Sequence, residues 1–373
     1  MKAKWLYALL AIIFAFGSAA VSFAAPEALC TACAAVLMDA QTTRVLAAQN
    51  AHARLPMAST TKIMTALLAL ETSKLNELVT VTKEAYGKEG SSIYLNLGEK
   101  LIMEDLLYGL MLASGNDAAI AIAVHLGGSI EGFAELMNAR AKALGCTNTH
   151  FVTPNGLHDA EHYSSAYDMA LIASAAMKHP IFRTIVNTKY RQTTSGDVVR
   201  TFKNKNKLLW QYDGGNGIKT GFTKASGRCL VFSAERSGKT IVGAVLNAPD
   251  MWNASKDLLD YGFKAYTWRK FVSSSEALCT VKIDKGVEPI LEILPEEDIL
   301  IPLRNEEAAD AVTLRLACPK TLPAPVKKGQ QVGKIEAWCD GRLLACVSLS
   351  AAKTVMRKEY PYYLEELVRG WLR

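Results

Sequence analysis

The chain lacks strong net charge, long apolar runs and the usual metal-binding spacings. Against 36 acidic residues stand 42 basic ones, a formal balance of +6 over 373 residues. Lys2 and Lys4 fall in a segment read below as a removable leader, so the mature chain is less basic still. An excess this mild gives no footing for nucleic acid as a partner. His150, His158, Asp159 and His162 cluster in sequence but lack the H-E-x-x-H spacing, so a zinc peptidase is not expected. Cys30 and Cys33 make a C-x-x-C with no histidine behind it and no second pair, which argues against haem attachment and a zinc site. There is no internal repeat and no low-complexity tract. Neither a metal nor a cofactor is implied.

What is present is apolar mass. Half of the residues are hydrophobic, enough for two domains with cores of their own. The start reads as an export signal over residues 1–24. Lys2 and Lys4 are basic, Trp5 to Phe16 is unbroken apolar, and small residues lead to cleavage near Ala24 or Ala25. An uncleaved anchor is the competing reading, but the apolar core is short for a span. The protein is therefore expected to work outside the cytoplasm. Its eight cysteines allow about 105 complete pairings, and sequence does not choose among them. For Cys30 and Cys33, a local disulfide and plain thiols both stay open.

Along the chain, Ala34–Met38 and Arg44–Ala47 read as strands joined by a polar turn. Ser59–Thr72, Met103–Ala113, Asp117–His125, Ile130–Leu144 and Ser165–Met177 read as helices. Gly214–Val245 alternates glycines with β-rich runs, and Ala254–Tyr261 is helical again. From about Phe271 to Leu349 the helical period vanishes and prolines punctuate short apolar strands, which predicts a small all-β module. The expected division is 25–270 for a first domain, 271–350 for the module and 351–373 for a tail. In that tail Leu364, Leu367, Val368, Trp371 and Leu372 share one helical face beside Arg369 and Arg373, suited to a membrane interface. Glu365 and Glu366 oppose that attraction, and a helix packed on its own domain is the alternative.

Three short patterns carry the chemistry. Ser59-Thr60-Thr61-Lys62 opens a helix, and a separation of three puts Ser59 and Lys62 within reach. A capping box would want Glu or Gln where Lys62 stands. A cation in the first turn of a buried helix opposes the dipole and loses hydration, which lowers its pKa and makes an amine that can activate a serine. Ser350-Ala351-Ala352-Lys353 has the same spacing without such a setting, so the pattern alone is weak. Ser114-Gly115-Asn116 fits a helix end and a helix start, yet a tight interhelical loop can also aim Ser114 and Asn116 into a cleft. Lys219-Thr220-Gly221 offers a cation and a hydroxyl for a carboxylate, with a glycine that permits close approach.

In that order, S-x-x-K, S-x-N and K-T-G resemble the low-molecular-mass penicillin-binding proteins, the serine-type D-alanyl-D-alanine carboxypeptidases. The likeness extends through Pro56–Thr65, Gly156-Leu157, His162-Tyr163-Ser164, Leu258–Phe263 and Pro325–Gly329. It implies an α/β (α+β) transpeptidase-like catalytic domain: an antiparallel sheet with a helical cluster and the site between them. It implies that Ser59 attacks the penultimate D-alanine carbonyl of peptidoglycan stem peptides and that Lys62 takes the proton. Ser114 would relay a proton, Asn116 would orient the substrate amide, and Lys219 and Thr220 would bind the terminal carboxylate. Gly221 would let the strand approach, and the N–H groups of Ser59 and Phe222 would form the oxyanion hole. β-Lactams would acylate the same serine. Two departures stand out: Phe222 where some relatives carry histidine, and Pro249–Asn253 without the arginine some use for the carboxylate. A D,D-endopeptidase and a β-lactamase share this fold, but no E-x-x-L-N element supplies a deacylating glutamate. A non-catalytic wall-binding protein would have no use for the intact triple motif.

Overall fold

A computed structural model of the chain describes residues 29–371. The expected leader at 1–24 lies outside the described residues. The run Ala34-Ala35-Val36-Leu37-Met38 belongs to a strand, Ala34–Asp39, buried at every position. Alternate side chains point to opposite faces. Ala34, Val36 and Met38 therefore enter one core and Ala35 and Leu37 another. This explains why the strand shows no polar alternation.

The sheet is antiparallel, in the order Val45–Gln49, Ala34–Asp39, Lys239–Leu246, Gly227–Arg236, Gly215–Thr223. The larger core takes the helices Lys62–Thr72, Asn116–Gly127 and Ala166–Met177 on one face. On the other face Met251, Ala254, Leu258 and Leu259 of the helix Met251–Ala265 close the smaller core. The Gly215–Thr223 strand is at the sheet edge and runs past the start of the Lys62–Thr72 helix.

Two expected helices are interrupted where chemistry was anticipated. Ala58–Thr61 is a tight 3-10 turn and the α-helix begins only at Lys62. The entry is strained, because Ala58 takes a left-handed φ of 48°. In a 3-10 turn residues three apart eclipse, which stacks Lys62 over Ser59 more closely than an α-turn would. The segment Met103–Ala113 is α-helical only to Tyr108. It widens to a π-turn over Gly109–Ala113 and ends with Ser114 left-handed at φ 66°. Such irregular backbone gathers at functional sites because its cost needs a surrounding structure to hold it.

Beyond the Met251–Ala265 helix the chain is almost wholly β. The strand Tyr266–Val272 pairs with Ile299–Arg304. A six-stranded sheet follows in the order Val312–Ala317, Gln331–Cys339, Arg342–Ala351, Ile290–Pro295, Cys279–Asp284, Thr321–Pro323. Leu291, Ile293, Ile301, Ile335 and Leu349 fill a core separate from those of the first domain. Trp268 Nε1 donates to Asp39 Oδ1 at 2.7 Å, and Arg44 Nη2 reaches the Glu307 carboxylate at 2.7 Å. These two contacts tie the module to the back of the catalytic sheet. A last helix, Tyr360–Trp371, ends the described chain with Leu364, Leu367, Val368 and Trp371 exposed. All eight cysteines are thiols.

Candidate active site

The helix Lys62–Thr72 is buried along its first two turns, and Lys62 itself is fully buried. Its Nζ lies 2.9 Å from Ser59 Oγ, 2.8 Å from Asn116 Oδ1 and 2.8 Å from the Asn155 carbonyl. Burial pushes the Lys62 amine well below its ordinary range, and the nearby Lys219 and Lys205 cations push it further. Asp117 opposes this from a distance. Ser59 is partly accessible and makes no helix cap. A hydroxyl next to an amine whose charged form is disfavoured by burial is the arrangement that activates a nucleophile.

The interhelical loop contributes Ser114 and Asn116, both almost buried. Among the described residues Ser114 Oγ has no side-chain hydrogen-bond partner. Asn116 is engaged at both ends of its amide, since Oδ1 accepts from Lys62 and Nδ2 donates to the Glu89 carbonyl at 2.7 Å. One N–H of that amide is left for a substrate. The neighbouring Asp117 accepts the N–H of Ile93 and Leu95 at 3.1 Å and the Ser92 hydroxyl at 2.6 Å. It thereby fastens the 91–95 segment across the start of the Asn116–Gly127 helix.

The edge strand brings Lys219, Thr220, Gly221 and Phe222 to the same place. Lys219 is buried, with Nζ on its own neighbour's carbonyl, Thr220 O, at 3.0 Å. Burial, then Lys205, lowers its pKa to about 7. Phe222 is exposed. The glycine between is a steric necessity: a Cβ on Gly221 would stand 2.9 Å from Met57 O and 3.1 Å from Ser59 N. The strand therefore passes directly beside the main chain of Met57 and the Ser59 N–H.

Four participants were not among the expected site residues, although Gly156 and His162 lie in stretches that carry the family likeness. Asn155 holds Lys62 through a main-chain oxygen, which any residue type supplies, so no motif could have flagged it. Gly156, at φ 82°, packs so closely that a Cβ would fall 1.9 Å from Ala58 O. His162 Nδ1 accepts the Val152 N–H at 2.9 Å and the Thr153 N–H at 3.3 Å. That leaves Nε2 as the protonated nitrogen, which donates to Thr61 Oγ1 at 2.9 Å. Both ring nitrogens are thus committed to structure, and burial lowers the ring's pKa to about 4. Lys205, exposed, donates to Ser91 Oγ at 3.1 Å and lies close enough to lower the pKa of the other two lysines. A cleft of about 870 Å3 near Thr42, Lys178 and Leu344 lies between the domains, and none of the motif residues lines it.

Comparison with known proteins identifies the family. Residues 20–250 match the family model described as D-alanyl-D-alanine carboxypeptidase. Residues 266–357 match the penicillin-binding protein 5 C-terminal domain. The chain is 33% identical over 349 residues to the D-alanyl-D-alanine carboxypeptidase DacF of Bacillus subtilis, covering 91% of this chain and 90% of that one. It is 34% identical over 327 residues to DacC of Escherichia coli, covering 82% and 80%. Among solved structures, penicillin-binding protein 5 from Haemophilus influenzae superposes with a TM-score of 0.67 at 30% identity, over 89% of this chain and 99% of that one. The Streptomyces K15 DD-transpeptidase gives 0.60 at 36% identity, over 64% of this chain and all of the other. The chain belongs to the D-alanyl-D-alanine carboxypeptidase family of serine peptidases, with a penicillin-binding protein 5 C-terminal domain behind its catalytic domain.

Proposed function

We propose that this enzyme removes the terminal D-alanine from peptidoglycan stem peptides through an acyl-enzyme on Ser59. The observation that carries the reading is the 2.9 Å contact between Ser59 Oγ and the fully buried Lys62 amine. Lys62 takes the Ser59 proton as Oγ adds to the penultimate D-alanine carbonyl. The Ser59 and Phe222 N–H groups receive the oxyanion, worth a few kcal/mol of barrier. The proton returns through Ser114 to the departing D-alanine amine, and water then hydrolyses the ester. Asn116 positions Lys62 and offers its free N–H to the substrate amide. Lys219 and Thr220 take the terminal carboxylate, with Lys219 carrying more of it because Pro249–Asn253 supplies no arginine. Penicillin acylates the same serine.

The test is D-alanine release from a diacyl-Lys-D-Ala-D-Ala peptide by the enzyme and by Ser59→Ala, with and without penicillin. Release that Ser59→Ala lowers at least about a thousandfold, and that penicillin blocks, supports the reading. Release that survives Ser59→Ala sinks it. Penicillin labelling of Ser59 without release, together with cleavage of cross-linked dimers, would move the function to an endopeptidase.

Export by the leader and attachment of the tail to the outer face of the cytoplasmic membrane complete the proposal. Leu364, Leu367, Val368 and Trp371 are between 51% and 88% exposed, an apolar face that the described residues leave uncovered. Sedimentation with phosphatidylglycerol vesicles should be lost when the chain is ended after Lys358. Equal sedimentation of both forms would remove the tail from the account.

A further inference from the structure

In the C-terminal module the short edge strand Thr321–Pro323 runs parallel to Cys279–Asp284, in the register Lys282 to Thr321, Ile283 to Leu322 and Asp284 to Pro323. The ladder continues backwards, because Lys282 N also donates to the Lys320 carbonyl at 3.2 Å. Carried to the start of the first strand, the same offset sets Cys279 opposite Cys318. Both side chains are half-buried and pack against the same core. The sulfurs interact: burial first, then the neighbouring Cys279, pushes the Cys318 thiol up to about 11. Adjacent strands lie about 4.8 Å apart, inside the range of about 4.4–6.8 Å between Cα atoms that a disulfide bridges.

We propose that Cys279 and Cys318 are a disulfide-forming pair, a covalent modification site that staples the edge strand Thr321–Pro323 to the six-stranded sheet. Four of the six remaining cysteines supply a contrast. Cys146 and Cys229 are buried in the catalytic domain with their thiols pushed up to about 12 and about 11 by burial. Cys346 stands opposite Glu336, and Cys339 opposite Arg342.

The oxidant is a small-molecule or protein disulfide. One protein thiolate attacks it, forms a mixed disulfide and expels a thiolate. The second protein thiolate then attacks the mixed disulfide at the protein sulfur and expels the other half. Two protein thiols lose two protons and two electrons, and one external disulfide becomes two thiols. The edge strand is only three residues long, so a covalent tie at its base limits fraying where a sheet edge is weakest. In cells the reaction needs the oxidising side of the membrane, and so rests there on the export reading above.

The experiment uses the purified full chain, reduced, desalted and incubated with oxidised glutathione. It is then alkylated, digested without reductant and mapped by mass spectrometry. The expected result is one linked peptide pair containing Cys279 and Cys318, two hydrogens lighter than its parts, with Cys146 and Cys229 alkylated only after denaturation. In Cys279→Ser, Cys318 should instead carry glutathione or be alkylated, with no linked partner at comparable yield. Recovery of both cysteines as separate alkylated peptides overturns the proposal. So does linkage of either one to another cysteine as often as to each other. Penicillin labelling of Ser59 in the same sample reports on the catalytic reading independently, so failure of one is not mistaken for failure of the other.

Discussion

Asn116 Oδ1 sits 2.8 Å from Lys62 Nζ, so the asparagine of the second motif holds the lysine of the first. A hydrogen bond to an amine that becomes charged during the reaction is worth about 2 kcal/mol. Asn116→Ala should therefore slow penicillin acylation roughly 30-fold. Asn116→Asp should do something different. A carboxylate beside Lys62 favours the ammonium form, so the rising limb of the pH–acylation profile should move to higher pH. Equal losses at every pH in both variants would show that Asn116 acts on the substrate alone.

Lys219 gives the falling limb. Its pKa is lowered to about 7, by burial first and Lys205 second. Only the charged form attracts the substrate carboxylate, so kcat/KM for the peptide should fall as pH rises through that value. Arginine keeps its charge, and in Lys219→Arg the falling limb should vanish even though the rate at pH 6 is lower. Wild-type kcat/KM that still climbs between pH 7 and 9 would contradict this assignment.

His162 predicts an acid weakness. The buried ring's pKa is lowered from 6.5 to about 4, with desolvation the leading cause. Because the folded value lies below the unfolded one, the neutral ring's contribution is complete above about pH 6.5 and is lost as pH falls through about 4. The whole loss amounts to about 3 kcal/mol. Urea midpoints between pH 7 and pH 4 should drop more for the wild type than for His162→Gln, whose amide can accept from Val152 and donate to Thr61 without titrating. His162→Leu, which leaves those groups unpaired, should be weaker at all pH values by about 1–3 kcal/mol.

Gly221→Ala tests the close approach of the edge strand. Its Cβ would press on Met57 O and Ser59 N, at 2.9 and 3.1 Å. The strand should move outward and widen the oxyanion site, lowering acylation about a hundredfold. Thermal stability should fall by only about 1–2 kcal/mol, because the relaxation occurs at a free edge. A normal acylation rate with an intact fold would place the oxyanion donors elsewhere.

Much of this protein follows from local sequence. The doubly buried strand Ala34–Asp39 shows in its unbroken apolar run, the all-β module in its proline-spaced strands, and the Ser59–Lys62 contact in a lysine placed where a helix start should reject it. These are statements about neighbours in the chain, and periodicity and the helix dipole act over just that range. What the sequence left open are relations between distant segments. That Ala58 is strained, that Asn155 offers its carbonyl to Lys62, that Lys205 joins Lys62 and Lys219, and that Cys318 faces Cys279 are all decided by which surfaces pack together. A main-chain oxygen carries no residue signature, and a strand register is set by the sheet as a whole. The order of three motifs was enough to find the chemistry; packing alone chose which atoms hold it in place.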